Sequence, residues 1–223
     1  MKRLALVLTV SPEIGKVSAE LITAEKPLCV MTLAHGAGAG MNHEFMVTIA
    51  NRLAAIGIST LRFNFPFMEN GTRRPDTPTV AHKTIEAAIK KAGKLFPSLP
   101  LFASGKSFGG RMTSQYLATA AAAAKVKGII FLGFPLHPPG KPSIERAEHL
   151  EQVNVPMLFL QGTRDELASF DLIVKVCAAL PHATLFTIER ANHAFKAGKK
   201  DVMAMLVDAI GSWTSKPKKK KTK

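Results

Sequence analysis

Eight short apolar runs, alternating with helix-patterned stretches from the third run onward, constrain this chain more than any other feature. The runs fall at residues 4–10, 17–24, 28–34, 58–63, 101–104, 128–133, 155–161 and 183–188. They are rich in Val, Ile, Leu, Phe and Thr and bounded by turn residues, which predicts strands. Helical patterns are expected at 45–56, 79–95, 108–124, 169–180 and 201–214. The first two strands are joined by Ser11-Pro12-Glu13-Ile14-Gly15, a cluster suited to a hairpin. Strand-helix alternation implies a mostly parallel sheet with helices on both faces. In such sheets ligands bind beyond the carboxyl ends of the strands, so functional residues are sought just after strands.

The chain has 223 residues, 47% of them hydrophobic, enough for one substantial core and too many for a disordered chain. No apolar run approaches the roughly 20 residues needed to cross a bilayer. Residues 1–10 imitate a secretory leader, but Pro12, Glu13 and Lys16 cut the apolar stretch short, and a first strand is expected instead. Cys29 and Cys177 lie inside apolar segments, so both are expected reduced, in a cytoplasmic protein. Net charge is +14, but 216–223 holds six lysines, which leaves +8 for the rest. That tail is read as a solvated end; the rival reading is contact with nucleic acid or another anionic surface.

Three motifs fail on spacing. Gly105-Lys106-Ser107 resembles the end of a phosphate-binding loop, yet Pro100 stands where the first glycine should be. The run from His35 to Gly40 is Gly-rich after a strand, but neither Met41 nor His43 is the glycine that a dinucleotide fingerprint requires. His43-Glu44 would need its second zinc-binding histidine at Val47. No metal or cofactor is expected.

Gly105-Lys106-Ser107-Phe108-Gly109 fits G-x-S-x-G, with a strand entering and a helix leaving. That is the setting of a nucleophile elbow, in which glycines permit a strained turn and close packing of helix on strand. A serine hydroxyl needs a base to become nucleophilic. The elbow fold uses the chain order serine, acid, histidine. Among seven histidines, His193 follows the last strand and comes after a suitable acid. Asp165, just beyond the seventh strand, is the candidate acid, with Glu166 and Asp171 as weaker choices. An oxyanion would be held by the backbone N–H of Phe108 and by that of Ala37 in the Gly-rich loop, with His35 anchoring that loop. Arg62, Arg73 and His137 are candidate substrate contacts; arginines of the 62–76 segment could equally form ion pairs that pin a long loop.

Together these pieces resemble the α/β-hydrolase superfamily, over residues 1–214, with 215–223 as a basic tail. The segments 33–40, 62–69, 73–76, 105–107, 135–141 and 162–165 are similar to a small subfamily. It includes bacterial proteins of unassigned substrate and the domain of animal testis-expressed and NSL-complex hydrolase-like proteins, with dienelactone hydrolases more distant. Met usually follows the motif serine there; Phe108 departs from this and keeps the N–H donor. The resemblance implies an α/β-hydrolase fold and a serine hydrolase of an ester, thioester or related acyl compound. Only about 20 residues separate the sixth and seventh strands, where relatives often insert a lid, so no large lid is expected. The rival reading is a binding or scaffold protein on the same fold. The sequence leaves the oligomeric state open.

Overall fold

A computed structural model describes residues 1–119 and 125–215. The end of the third predicted helix and the lysine tail fall outside the described residues. Eight strands form one sheet in the order β1-β2-β4-β3-β5-β6-β7-β8. They run Lys2–Ser11 (β1), Gly15–Thr23 (β2), Cys29–Ala34 (β3), Ile58–Phe63 (β4), Leu101–Lys106 (β5), Ile129–Leu132 (β6), Met157–Gly162 (β7) and Ala183–Ile188 (β8). β1 and β2 pair antiparallel, and β2 joins the rest antiparallel through β4. The remaining neighbours are parallel. All eight predicted strands are present. The leader-like N-terminus is β1, paired with β2 from Lys2 opposite Thr23 to Thr9 opposite Lys16.

The helices are α1 (Glu44–Ala55), α2 (Pro66–Glu69), α3 (Pro78–Leu95), α4 (Phe108–Leu117), α5 (Phe170–Ala179) and α6 (Val202–Thr214). A 3-10 helix spans Glu145–Gln152. The short α2 and this 3-10 helix escape sequence reading, because each is too brief to show a periodic apolar stripe. The 20-odd residues between β6 and β7 hold only that 3-10 helix, with no inserted lid.

Each central strand is buried on both faces and feeds two separate cores, because successive side chains point to opposite sides. Ile129, Phe131, Met157 and Phe159 face one core with α3, α4 and α5. Ile130, Leu132, Leu158 and Leu160 face the other with α1 and α6. Phe131 and Phe159 meet with ring centroids 4.5 Å apart. No helix among the described residues is long and apolar enough to cross a membrane.

The structure corrects one expectation about Arg62. Its side chain is almost fully buried, in β4 between β2 and β3. It donates to Glu20 of β2 and, at 3.0 Å, to the Met41 carbonyl. A guanidinium taken out of water must keep such partners, and at 2% exposure it presents no open face to a substrate. The remainder of the 62–76 segment is pinned likewise. Glu69 accepts from the Ser18 N–H at 2.7 Å and from the Asn64 amide at 3.0 Å, and Asp76 accepts from the Phe67 N–H at 3.2 Å. Arg73 stays exposed on that loop.

Breaking this pair from its two ends should give unequal results. Glu20→Ala strands a buried cation and is expected to cost about 3 kcal/mol. Arg62→Met leaves only a partly exposed carboxylate and should cost less. Urea denaturation of both variants checks this; equal losses would speak against an ion pair as the reason for Arg62.

Candidate active site

β5 ends on a turn of unusual backbone geometry. Ser107 has φ 49° and ψ −116°, a left-handed φ that few non-glycine residues adopt. The turn brings α4 down on the sheet. A Cβ at Gly105 would stand 2.3 Å from the Gly110 nitrogen, and one at Gly109 would stand 2.5 Å from the His35 carbonyl oxygen. Only glycine fits at either position, so the predicted elbow is what the chain forms. Ser107 sits at the amino end of α4, where unpaired N–H groups favour negative charge.

The loops after β7 and β8 bring two more predicted residues to this point. Nε2 of His193 lies 2.8 Å from Oγ of Ser107. Its Nδ1 lies 3.0 and 2.8 Å from the two carboxylate oxygens of Asp165. With Nδ1–H donated to the carboxylate, Nε2 presents its lone pair to the hydroxyl. Asp165 is buried, and its oxygens also accept from the Gln161 amide at 2.6 Å and the Leu167 N–H at 2.8 Å. Gln161 in turn accepts from the Phe134 N–H at 2.9 Å, which ties the acid to β6. Neither Glu166 nor Asp171 takes the acid's place. Glu166 instead accepts from the His193 main-chain N–H at 3.2 Å, and Asp171 is exposed on α5.

The Gly-rich loop after β3 lies opposite. Gly36, Ala37 and Gly38 line a cavity of about 450 Å³ with Met46, Ser107 and His193. The N–H groups of Ala37 and Phe108 donate no hydrogen bond among the described residues. Phe108 is fixed by edge-to-face contact with Phe65 and Phe67, ring centroids 5.4 and 6.0 Å away. His35 is fully buried and anchors the loop. Its Nδ1–H donates to the Gly36 carbonyl at 2.7 Å and its Nε2 accepts from the Phe65 N–H at 3.0 Å. Burial pushes its pKa down to about 4, against the opposing bond to Gly36, so the ring is neutral at pH 7.

His137 and Arg73 do not line this cavity. His137 is buried, with Nδ1 on the Pro138 carbonyl at 2.8 Å. Its Nε2 meets the N–H and hydroxyl of Ser169, at 2.8 and 2.9 Å. Nε2 joins two loops and Nδ1 is closed on its own loop, so both ring nitrogens are occupied and the expected substrate contact is corrected to a structural one. Sequence reading missed Lys106, Gln161 and the link from Glu166 to His193. Lys106 stood in the rejected phosphate-loop motif and as the unspecified x of G-x-S-x-G, and no spacing marks the other two. Among the described residues no group of three or more His, Cys, Asp or Glu is placed to hold a metal ion.

Residues 27–209 match the model of a family described as an alpha/beta hydrolase domain. The chain belongs to that family. Solved structures with the same fold include an alpha-beta serine hydrolase homologue from Coxiella burnetii, at 19% identity and TM-score 0.76, covering 95% of this chain and 97% of that one. A serine hydrolase without a lid from Xanthomonas campestris gives 21% identity and TM-score 0.73, covering 97% and 98%. Dienelactone hydrolase from Anabaena variabilis gives 18% and 0.75, covering 95% and 96%. This α/β hydrolase shares their open, mostly parallel sheet, and among the described residues only the 3-10 helix stands between β6 and β7.

His35 predicts how the fold responds to acid. Its folded pKa lies below the ordinary value, so between about 6.5 and 4 the unfolded chain binds the extra proton. Stability present above pH 6.5 is then lost as pH falls toward 4. His149, half-buried against Ser114 and also lowered to about 4, adds to this loss. Melting temperature should fall over that range, and His35→Asn should flatten the slope without abolishing it. An unchanged slope would remove His35 from the account.

Proposed function

We propose that this chain is a serine hydrolase that cleaves an ester, thioester or related acyl bond of a small substrate through Ser107, His193 and Asp165. The observation that carries the reading is the unbroken contact from the Ser107 hydroxyl through both nitrogens of His193 to a buried carboxylate. His193 takes the hydroxyl proton on Nε2 as Oγ bonds to the substrate's carbonyl carbon. The carbonyl electron pair moves to oxygen, which the N–H groups of Phe108 and Ala37 hold. As the tetrahedral centre collapses, the bond to the leaving group breaks and His193 returns the proton to it. Water then attacks the acyl-enzyme, its proton passing to His193, and the acid product departs as Ser107 recovers its hydrogen. Asp165 fixes the tautomer and balances the imidazolium charge that forms.

The open cavity and the absence of an inserted lid favour a short, water-soluble acyl group over a long lipid. The buried free thiols suit work in the cytoplasm. Burial raises Cys29 to about 11 and Cys177 to about 12, which keeps both protonated and unreactive.

Ser107→Ala should lower turnover on p-nitrophenyl acetate by on the order of 10⁴-fold or more. A fluorophosphonate probe should label Ser107 in the natural chain and not in the variant. Near-natural activity in the variant rejects the assignment. Failure of labelling together with recovery of a protein partner would favour a scaffold on this fold. In a series of p-nitrophenyl esters, rates should peak at short acyl chains.

A further inference from the structure

The route from Ser107 to Asp165 makes no use of Lys106, the residue before the serine. Lys106 ends β5, half-buried at the edge of the cavity, with its backbone paired against Leu132 of β6. Its side chain crosses the end of β6 and donates from Nζ to the main-chain carbonyl of His193 at 2.7 Å. Nζ also stands 5.2 Å from the centroid of the Phe195 ring, a cation–π distance. Its path runs beside Gly133, whose positive φ favours glycine. That residue has φ 73°, and a Cβ there would lie 3.3 Å from Nζ and 3.5 Å from Nδ1 of His193.

The loop that carries His193 is short and largely bonded to itself. Phe195 N–H donates to the Asn192 carbonyl, Lys196 N–H to the Asn192 side chain, and Asn192 N–H to the Lys196 carbonyl. Phe195 is held at φ 61°, a strained value for a side-chain-bearing residue. At His193 itself the main chain meets the rest of the protein twice. Its N–H donates to the Glu166 carboxylate at 3.2 Å, and its C=O accepts from the Lys106 ammonium at 2.7 Å. Each polar group of the histidine backbone is thus held by a side chain of opposite charge to the other's.

We propose that Lys106 is a positioning residue which, with Glu166, clamps the backbone of His193 and so sets the ring between Asp165 and Ser107. The proposal rests on the reading of His193 as the base. It adds that this base sits on a strained loop that does not hold the ring in place alone. A charged donor 2.7 Å from a carbonyl makes a stronger bond than a neutral one, so a lysine suits the position better than a glutamine. The groups facing Nζ are Asp165 and Glu166 from the loop after β7, His193 from the loop after β8, and the Phe195 ring. Burial lowers Lys106 to about 8, and the two carboxylates oppose that loss. Its charge, and the clamp, therefore weaken as pH rises through about 8.

The test uses the full chain and four variants: Lys106→Met, Lys106→Arg, Glu166→Ala and Ser107→Ala. Hydrogen exchange of residues 191–196 is the readout independent of turnover. It should speed up in Lys106→Met and, as a check at an exposed position, in Glu166→Ala. With p-nitrophenyl acetate, Lys106→Met should lose about 10- to 100-fold in kcat, as expected for a displaced base, with KM within about 2-fold. Lys106→Arg should recover most of that kcat and lack the alkaline fall near pH 8 of the natural chain. A raised KM at unchanged kcat would make Lys106 a substrate contact and overturn the proposal. So would unchanged exchange in both clamp variants. Should Ser107→Ala be as active as the natural chain, the hydrolase reading falls, while the exchange result still decides the clamp.

Discussion

Ser107 is held in a backbone conformation that it would not choose, and the packing around it leaves no alternative. The first turn of α4 presses so closely on β5 and β3 that Gly105 and Gly109 have no room for a single methyl group. That contact fixes the height of the serine above the sheet and the direction of its hydroxyl. It also places the amino end of α4 at the same spot. The other site residues are arranged around this point: Ala37 from the loop after β3, Asp165 from the loop after β7 and His193 from the loop after β8. Strain at one residue is tolerable because the surrounding sheet is buried on both faces and has no slack to relieve it.

Charged and polar side chains in the interior mostly hold loops to the sheet. Arg62 ties β4 to β2 and to the Met41 carbonyl, next to the Gly-rich loop. His35 joins the start of that loop to Phe65, and His137 joins the loops after β6 and β7. Both ring nitrogens of each histidine are used up internally, and the Arg62 guanidinium is buried against Glu20 and the Met41 carbonyl. Proximity to a cleft and a chemically capable side chain are therefore poor guides to a substrate contact unless the hydrogen-bond inventory of that side chain is complete.

Much of this was legible in the amino-acid sequence, for identifiable reasons. The eight strands announce themselves because the parallel ones are buried on both faces and read as continuous apolar runs. The elbow is visible because close packing demands glycines at fixed spacing. Asp165 and His193 follow from the position of each beyond its strand and from the order of the three residues. Sequence could not separate Arg62 as a ligand-binding residue from Arg62 as an internal ion pair, since the answer lies in Glu20, 42 residues away on another strand. Lys106 was overlooked for a similar reason. Its partner is a main-chain carbonyl 87 residues distant, and carbonyl groups leave no trace in residue identity.

Gln161 bears on when the three candidate residues can meet. It is a strand residue of β7, and it links the Phe134 backbone beyond β6 to the carboxylate of Asp165. A slip of β7 by one position would turn Gln161 to the opposite face and leave the acid without that support. The serine and its histidine are 86 residues apart, and the histidine and its acid 28. On the proposed mechanism, a chain in which these three residues have not met carries only an ordinary alcohol at Ser107. The chemistry proposed for Ser107 would then depend on the final alignment of the sheet.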